Sequence, residues 1–326
     1  MPIIQGMPPL HSASPFAHCL TPDEVVRQLR HLPSAPRVLP RLKNLLVDPN
    51  SPMSEVVGLI RLDPGIAARV LQIGNSAYYS HGTRCYTVDE AVHRVGFDQV
   101  FELVANAVAS QVLVRPLGCY GLDADELWRL SVACALAAEQ LAARIELDRD
   151  VAYTIGLLHG VGLVAIDEWA FHQQQALRFQ PGPLPLETCE QERNALGFHN
   201  AEAGAALLRF WDFPAVMSEP VRWQYLPRGT AAHFQHACLL HVAKWIRSAV
   251  CAGAAPKALP DPAVLRGLRL PASELGAMTE AVTSRLEAVN SMLDAGLPDK
   301  SIVMFPNGGR EITGHTVKRS FIDRYA

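Results

Sequence analysis

The 326-residue sequence predicts an all-α protein built from two packed helical subdomains. Three observations point there. Apolar residues recur at three- and four-residue spacing along most of the chain, the period of one face of an α-helix. Two tetrapeptides, Thr21-Pro22-Asp23-Glu24 and Thr87-Val88-Asp89-Glu90, have the form of capping boxes. In that device a threonine hydroxyl accepts from the amide three residues on, while the glutamate reaches back to the threonine N–H. Strict apolar–polar alternation, the mark of a half-buried strand, is nearly missing.

Residues 1–19 hold four prolines and little periodicity, so a flexible N-terminal tail is expected. The first helix starts after Thr21, with proline at its first helical position. Val38, Leu39, Leu42, Leu45 and Leu46 share one helical face, and Asp63-Pro64 ends one helix and caps the next. Val100, Leu103, Val104, Ala107, Val108, Gln111 and Val112 continue the helical period until Pro116 breaks it. Leu117 to Asp125, with two glycines and two aspartates, reads as the link between the subdomains, which are placed at 20–118 and 119–297. Beyond it, helices are expected at Glu126–Ile145, Arg149–Gly160, Leu186–Leu196, Asn200–Phe210, Ala215–Leu226, Ala232–Ala252 and Ser273–Leu293. Gln180 to Pro185 is the longest predicted internal loop. Trp211, Trp223, Phe210 and Phe213 are predicted to form core around Pro214. Residues 298–326 lack periodicity and read as a C-terminal tail.

A net charge of −3, from 29 basic and 32 acidic side chains, argues against a surface built to bind nucleic-acid phosphates. Arg61, Arg69, Arg84 and Arg94 are the candidates for a local basic stripe, unless they lie on solvated faces. The seven cysteines are scattered and contain no C-x-x-C pair, which suits a reduced protein. There is no charged and apolar leader at the start and no uninterrupted apolar run of about 18 residues. A cytoplasmic protein without membrane contact is therefore expected.

Leu32-Pro33-Ser34-Ala35-Pro36-Arg37-Val38-Leu39, Leu62 to Leu71, Gly74-Asn75-Ser76-Ala77-Tyr78-Tyr79 and Ala91 to Gly96 resemble the first half of an HDOD domain. Leu127 to Ser131, Gly156-Leu157-Leu158-His159 and Leu196 to Gly204 resemble its second half, so the similarity spans roughly residues 20 to 250. HDOD proteins are bacterial and all-helical, are related to HD-type metal-dependent phosphohydrolases, and are regarded as regulatory rather than catalytic. The resemblance makes the second subdomain HD-like.

The same comparison locates the metal site that an HD-type enzyme would carry. Its first histidine falls on Leu130, its His-Asp pair on His159-Gly160, and a later histidine on His199. Its tandem histidines fall on Gln224-Tyr225 and its closing aspartate on Lys244. Two imidazoles without a carboxylate make a poor site for hard divalent metals, and glycine cannot help to activate a water. The expectation is a non-enzyme with no metal and no cofactor, in which His159 and His199 are vestigial.

With catalysis set aside, the expected function is a signal-transduction module that binds a signalling protein or a small anionic ligand such as a nucleotide. The candidate surface comprises Asn75, Tyr78, Tyr79, His159, His199, Gln224, Tyr225 and Lys244. For Asn75 the plain alternative is a helix-closing role, and for the tyrosines packing between the subdomains. Lys244 either replaces the lost cation for an anionic ligand or extends its ammonium to water. No receiver, GGDEF, EAL or DNA-binding segment is recognisable, so a free-standing adaptor, or a module that receives its signal through a separate partner, is expected. The alternative class is a phosphohydrolase acting on a nucleotide through a displaced ligand set.

Overall fold

The structure is a computed structural model. It describes residues 20–27, 51–80, 82–96, 116–180, 185–227, 232–253 and 258–294, together with scattered positions at 29, 38, 41–42, 45, 99–100, 102–103 and 256. The predicted tails at 1–19 and 298–326, Leu39, Leu46 and the 104–112 helical face lie outside the described residues.

Both predicted capping boxes form. In α1 (Pro22–Val26) the Glu24 carboxylate accepts from the Thr21 N–H at 2.8 Å, and in α5 (Val88–Val95) Thr87 and Glu90 repeat the exchange. Between them lie α2 (Met53–Arg61), α3 (Pro64–Asn75) and the single turn α4 (Ala77–Ser80). Asp63 is buried and caps α3 as expected, accepting from the Gly65 and Ile66 amides at 2.9 Å.

The chain then forms α6 (Ala124–Arg144), α7 (Arg149–Leu158), α8 (Val161–His172), α9 (Pro185–Leu196), α10 (Asn200–Phe210), α11 (Ala215–Arg222), α12 (Phe234–Ala252), α13 (Pro262–Gly267) and α14 (Glu274–Asp294). Among the described residues there is no strand, only an isolated bridge between Leu117 and Leu122. The fold is all-α.

Two helices escape the periodicity reading. The helix α8 is buried on nearly every side, so it shows no amphipathic stripe. The helix α13 is only six residues long. Arg149–His172 is apolar enough by length and composition to cross a membrane, but an 18-residue window of it is 89% buried within the fold and the segment turns at His159-Gly160. Its hydropathy is that of a core element. Phe210 is also corrected, because it is half exposed while Trp211 and Phe213 are buried.

Helices α2, α3 and α5 pack on one another, and α6 is the centre of the second group, touching α7, α12 and α14. Its alanines at 133, 135, 137 and 138 are fully buried, so neighbouring backbones approach closely. The groups meet where Trp128 Nε1 donates to the Leu62 carbonyl at 2.8 Å and the Tyr153 hydroxyl donates to that of Arg61 at 2.9 Å. The Leu117 to Asp125 link is itself packed, with Leu117, Cys119 and Tyr120 buried. The helix α1 lies against α10 and α8.

Candidate functional site

Two glycines fix the turn that carries His159. A Cβ on Gly156 would lie 2.7 Å from the Cys134 carbonyl oxygen and 2.8 Å from Ala135 Cα, so only glycine lets α7 lie this close to α6. A Cβ on Gly162 would lie 1.8 Å from the Asn200 carbonyl oxygen and 2.7 Å from the Gly204 nitrogen, which presses α8 onto α10. The His159-Gly160 turn between these crossings is thereby held facing α11 and α12.

His159 is buried, and its hydrogen bonds set its tautomer. Its Nδ1 lies 2.7 Å from the Gly156 carbonyl, which can only accept, so Nδ1 carries the proton. Its Nε2 lies 2.8 Å from Arg247 Nη1, a permanent donor, so the Nε2 lone pair accepts from the guanidinium. Burial, with Arg247 and Lys244 beside it, holds His159 well below the usual imidazole range, consistent with a neutral ring. The Gln224 amide closes the turn by donating to the His159 carbonyl at 3.1 Å and the Val221 carbonyl at 2.9 Å.

A chain of buried polar groups adjoins it. Glu192 on α9 is fully buried and accepts from the Tyr120 hydroxyl at 2.7 Å, the Asn200 N–H at 2.8 Å and the Asn200 side-chain amide at 2.8 and 3.0 Å. The Tyr225 hydroxyl donates to Asn200 Oδ1 at 3.0 Å. Lys244 Nζ sits 3.3 Å from the centroid of the Tyr225 ring, and the His199 ring meets that ring edge-on at 5.8 Å. Burial, then Arg247, pushes the Lys244 ammonium well below the lysine range, and burial raises Glu192.

The eight candidate residues fall into separate settings. His159, His199, Gln224, Tyr225 and Lys244 come together. The expectation of a shared surface fails, because His159, Gln224 and Lys244 are buried, Lys244 being 6% exposed. The Lys244 ammonium meets an aromatic face rather than water.

Asn75 is buried as well. It joins α3 to the 82–86 segment, donating to the Cys85 carbonyl at 3.1 Å and accepting from the Cys85 N–H at 2.7 Å. Tyr78 alone is strongly exposed, at 79%, and Tyr79 is half-buried. This turn is tied to the far end of α10, because Arg84 donates to both the Asn75 and the Asp212 carbonyls. His199 precedes the other end, and eleven helical residues span about 16 Å. The turn and the histidine cluster are thus not one groove.

The four arginines form no free stripe. Arg61 pairs with Asp89 and Asp150, Arg69 with Gln72, Arg84 with the two carbonyls above, and Arg94 with the Gly74 and Thr83 carbonyls.

Sequence reasoning missed Arg247, Glu192, Asn200 and Tyr120. Arg247 had a legible signal: with Lys244 it places two basic residues three apart, hence on one face of an otherwise apolar helix. Glu192 had none, lying in a polar helix whose buried side depends on tertiary contacts.

The HDOD domain family model matches residues 32–227. This chain belongs to the HDOD family. A protein of Treponema pallidum described as uncharacterized is 26% identical over 210 residues, a match covering 62% of this chain but only 39% of that relative's length. The MmoQ response regulator of Methylococcus capsulatus superposes with a TM-score of 0.60 at 22% identity, covering 76% of this chain and 98% of its own. A virulence factor of Campylobacter jejuni gives a TM-score of 0.59 at 15% identity, covering 82% and 100%. At these identities the likeness is one of fold.

The sequence resemblance to HD phosphohydrolases would place a divalent metal at the His159 turn, and the residues present do not fit one. The Nε2 lone pair that would bind it is engaged by a guanidinium, and the Lys244 side chain, a base and not a carboxylate, stands beside it. Among the described residues no group of three or more histidines, cysteines or acids is placed to hold a metal.

Proposed function

We propose that this HDOD protein is a non-catalytic bacterial signal-transduction module that works by binding another protein. The observation that carries the reading is Arg247 on His159 Nε2: a permanent cation takes the lone pair that a metal-dependent hydrolase needs. Leu130, Gly160, Gln224-Tyr225 and Lys244 at the remaining ligand positions support it, as does the family. The described cysteines are free and buried, which suits a reducing compartment such as the cytoplasm. Tyr78, exposed on a one-turn helix beside the seam between the helical groups, is the proposed docking residue.

The test has two arms. Purified without chelator and supplied with manganese or magnesium, the chain should hydrolyse neither a nitrophenyl phosphodiester nor cyclic dinucleotides above background. Captured from its native cells, the partner should be retained less well by Tyr78→Ala, with the thermal midpoint unmoved because exposed substitutions usually cost under about 0.5 kcal/mol. Stoichiometric bound metal lost together with hydrolysis in His159→Ala would overturn the non-catalytic reading. Equal capture by Tyr78→Ala would overturn the docking assignment.

A further inference from the structure

Four buried side-chain polar atoms among the described residues lack any hydrogen-bond partner: Gln140 Oε1, His199 Nδ1, Lys244 Nζ and Arg247 Nε. Three of them belong to one cluster. Lys244 and His199 flank the same Tyr225 ring, and Arg247 is joined to His159 three residues along α12 from Lys244. Buried polar atoms are almost always satisfied, so a convergence of orphans asks for a missing partner.

The chemistry of that partner follows from what the three atoms offer. An ammonium and a guanidinium can only donate, and an imidazole nitrogen donates when protonated. Among the described residues none accepts from these three atoms, although Arg247 Nη2 donates to Ser248 Oγ at 3.3 Å. The oxygens of the nearest buried carboxylate, Glu192, are taken by Tyr120 and Asn200, and the Gly156 carbonyl is taken by His159 Nδ1. Glu202, whose Oε2 lies 3.7 Å from His199 Nδ1, is beyond hydrogen-bond reach. The Tyr225 face covers one side of the ammonium but accepts no directed hydrogen bond from its three N–H groups.

A water would offer acceptors without answering the Arg247 charge, which itself opposes a proton on the buried Lys244 amine. A tetrahedral oxyanion answers both needs, because its oxygens accept from several directions and its charge offsets the guanidinium. We infer that His199, Lys244 and Arg247, with the Tyr225 ring as a wall, form a buried binding site for a small oxyanion of the phosphate class.

This inference rests on the reading that basic side chains have replaced the metal at the His159 turn. Burial and Arg247 strongly disfavour the Lys244 ammonium, so a bound anion would also secure the proton on Lys244.

The test uses the full chain, dialysed free of phosphate, at constant ionic strength set with chloride. Inorganic phosphate should raise the thermal midpoint progressively, because a ligand that binds only the folded state adds stability with the logarithm of its concentration. A bound phosphorus resonance of one per chain should appear and be displaced by sulfate. Both responses should be lost in Lys244→Met and in Arg247→Met while far-ultraviolet circular dichroism stays helical. Should either variant fail to fold, the stoichiometric resonance on the unmodified chain and its displacement by sulfate still decide.

No resonance and no rise beyond the chloride control would overturn the inference and leave the non-catalytic reading standing. An equal rise in the unmodified chain and both variants would overturn it as well. A response abolished by a metal chelator would overturn both, because the phosphate would then be held by a metal.

Discussion

Replacing Glu192 tests whether the polar chain behind the cluster holds its geometry. The side chain is fully buried, and its oxygens receive three donor groups: the Tyr120 hydroxyl, the Asn200 N–H and the Asn200 amide. In Glu192→Ala all three lose their acceptor in a region with little access to water. Each orphaned donor costs about 1–3 kcal/mol, but the deleted carboxylate also carried a desolvation penalty. The net loss should therefore fall below the sum for three orphaned donors, at roughly 2–4 kcal/mol. Glu192→Gln preserves the shape and one acceptor while turning an NH2 toward donors, so one clash remains and the loss should be about 1–3 kcal/mol. Urea unfolding followed by circular dichroism reads both losses, provided the denaturant slope matches that of the unmodified chain. An alanine variant within about 1 kcal/mol of the unmodified chain would refute the network.

Gly160→Asp should fold, because Gly160 has φ −93° and ψ 2° and a Cβ there meets only Leu127 and Leu163 at 3.9 Å. It should still not hydrolyse a phosphodiester with manganese, since Arg247 keeps the His159 lone pair, and metal-dependent turnover would disprove this. Gly162→Ala should lose more than about 3 kcal/mol, because the added carbon collides with backbone on α10 rather than with a movable side chain; a thermal midpoint within a few degrees of the unmodified chain would contradict the close crossing. Burial and the neighbouring cations depress His159 in the folded state, so its contribution to stability is present above the unfolded value of 6.5 and is lost as pH falls through the folded pKa. His159→Gln should flatten part of the acid loss seen in urea midpoints below that value, with His199, His236 and His241, shifted the same way, supplying the rest.

Elements that announce themselves locally were the ones legible in the sequence. Thr21, Asp63 and Thr87 cap helices because a short polar side chain satisfies amides within three residues, a relation that needs no tertiary structure. The helix α8 was lost because burial all round erases the periodicity that a surface helix shows. At the site, the positions that lack ligands could be read directly, but what fills them could not. That Arg247 reaches His159 from 88 positions away depends on the packing of α12 against α7. The placing of Asn75 beside the histidines failed because adjacency in a family pattern says nothing about which end of α10 a turn will meet.

The packing of α1 bears on how the molecule assembles. Val25 and Val26 are buried and α1 rests on α8 and α10, the contact with α10 spanning more than half of the chain's length. Such contacts close late, because the entropy of a long loop is lost before they give any return, and they slow folding. During synthesis α1 is made well before α10 and waits for it. Residues 119–294 expressed alone would show an uncovered apolar strip along α8 and α10, an invitation to self-association that α1 otherwise conceals.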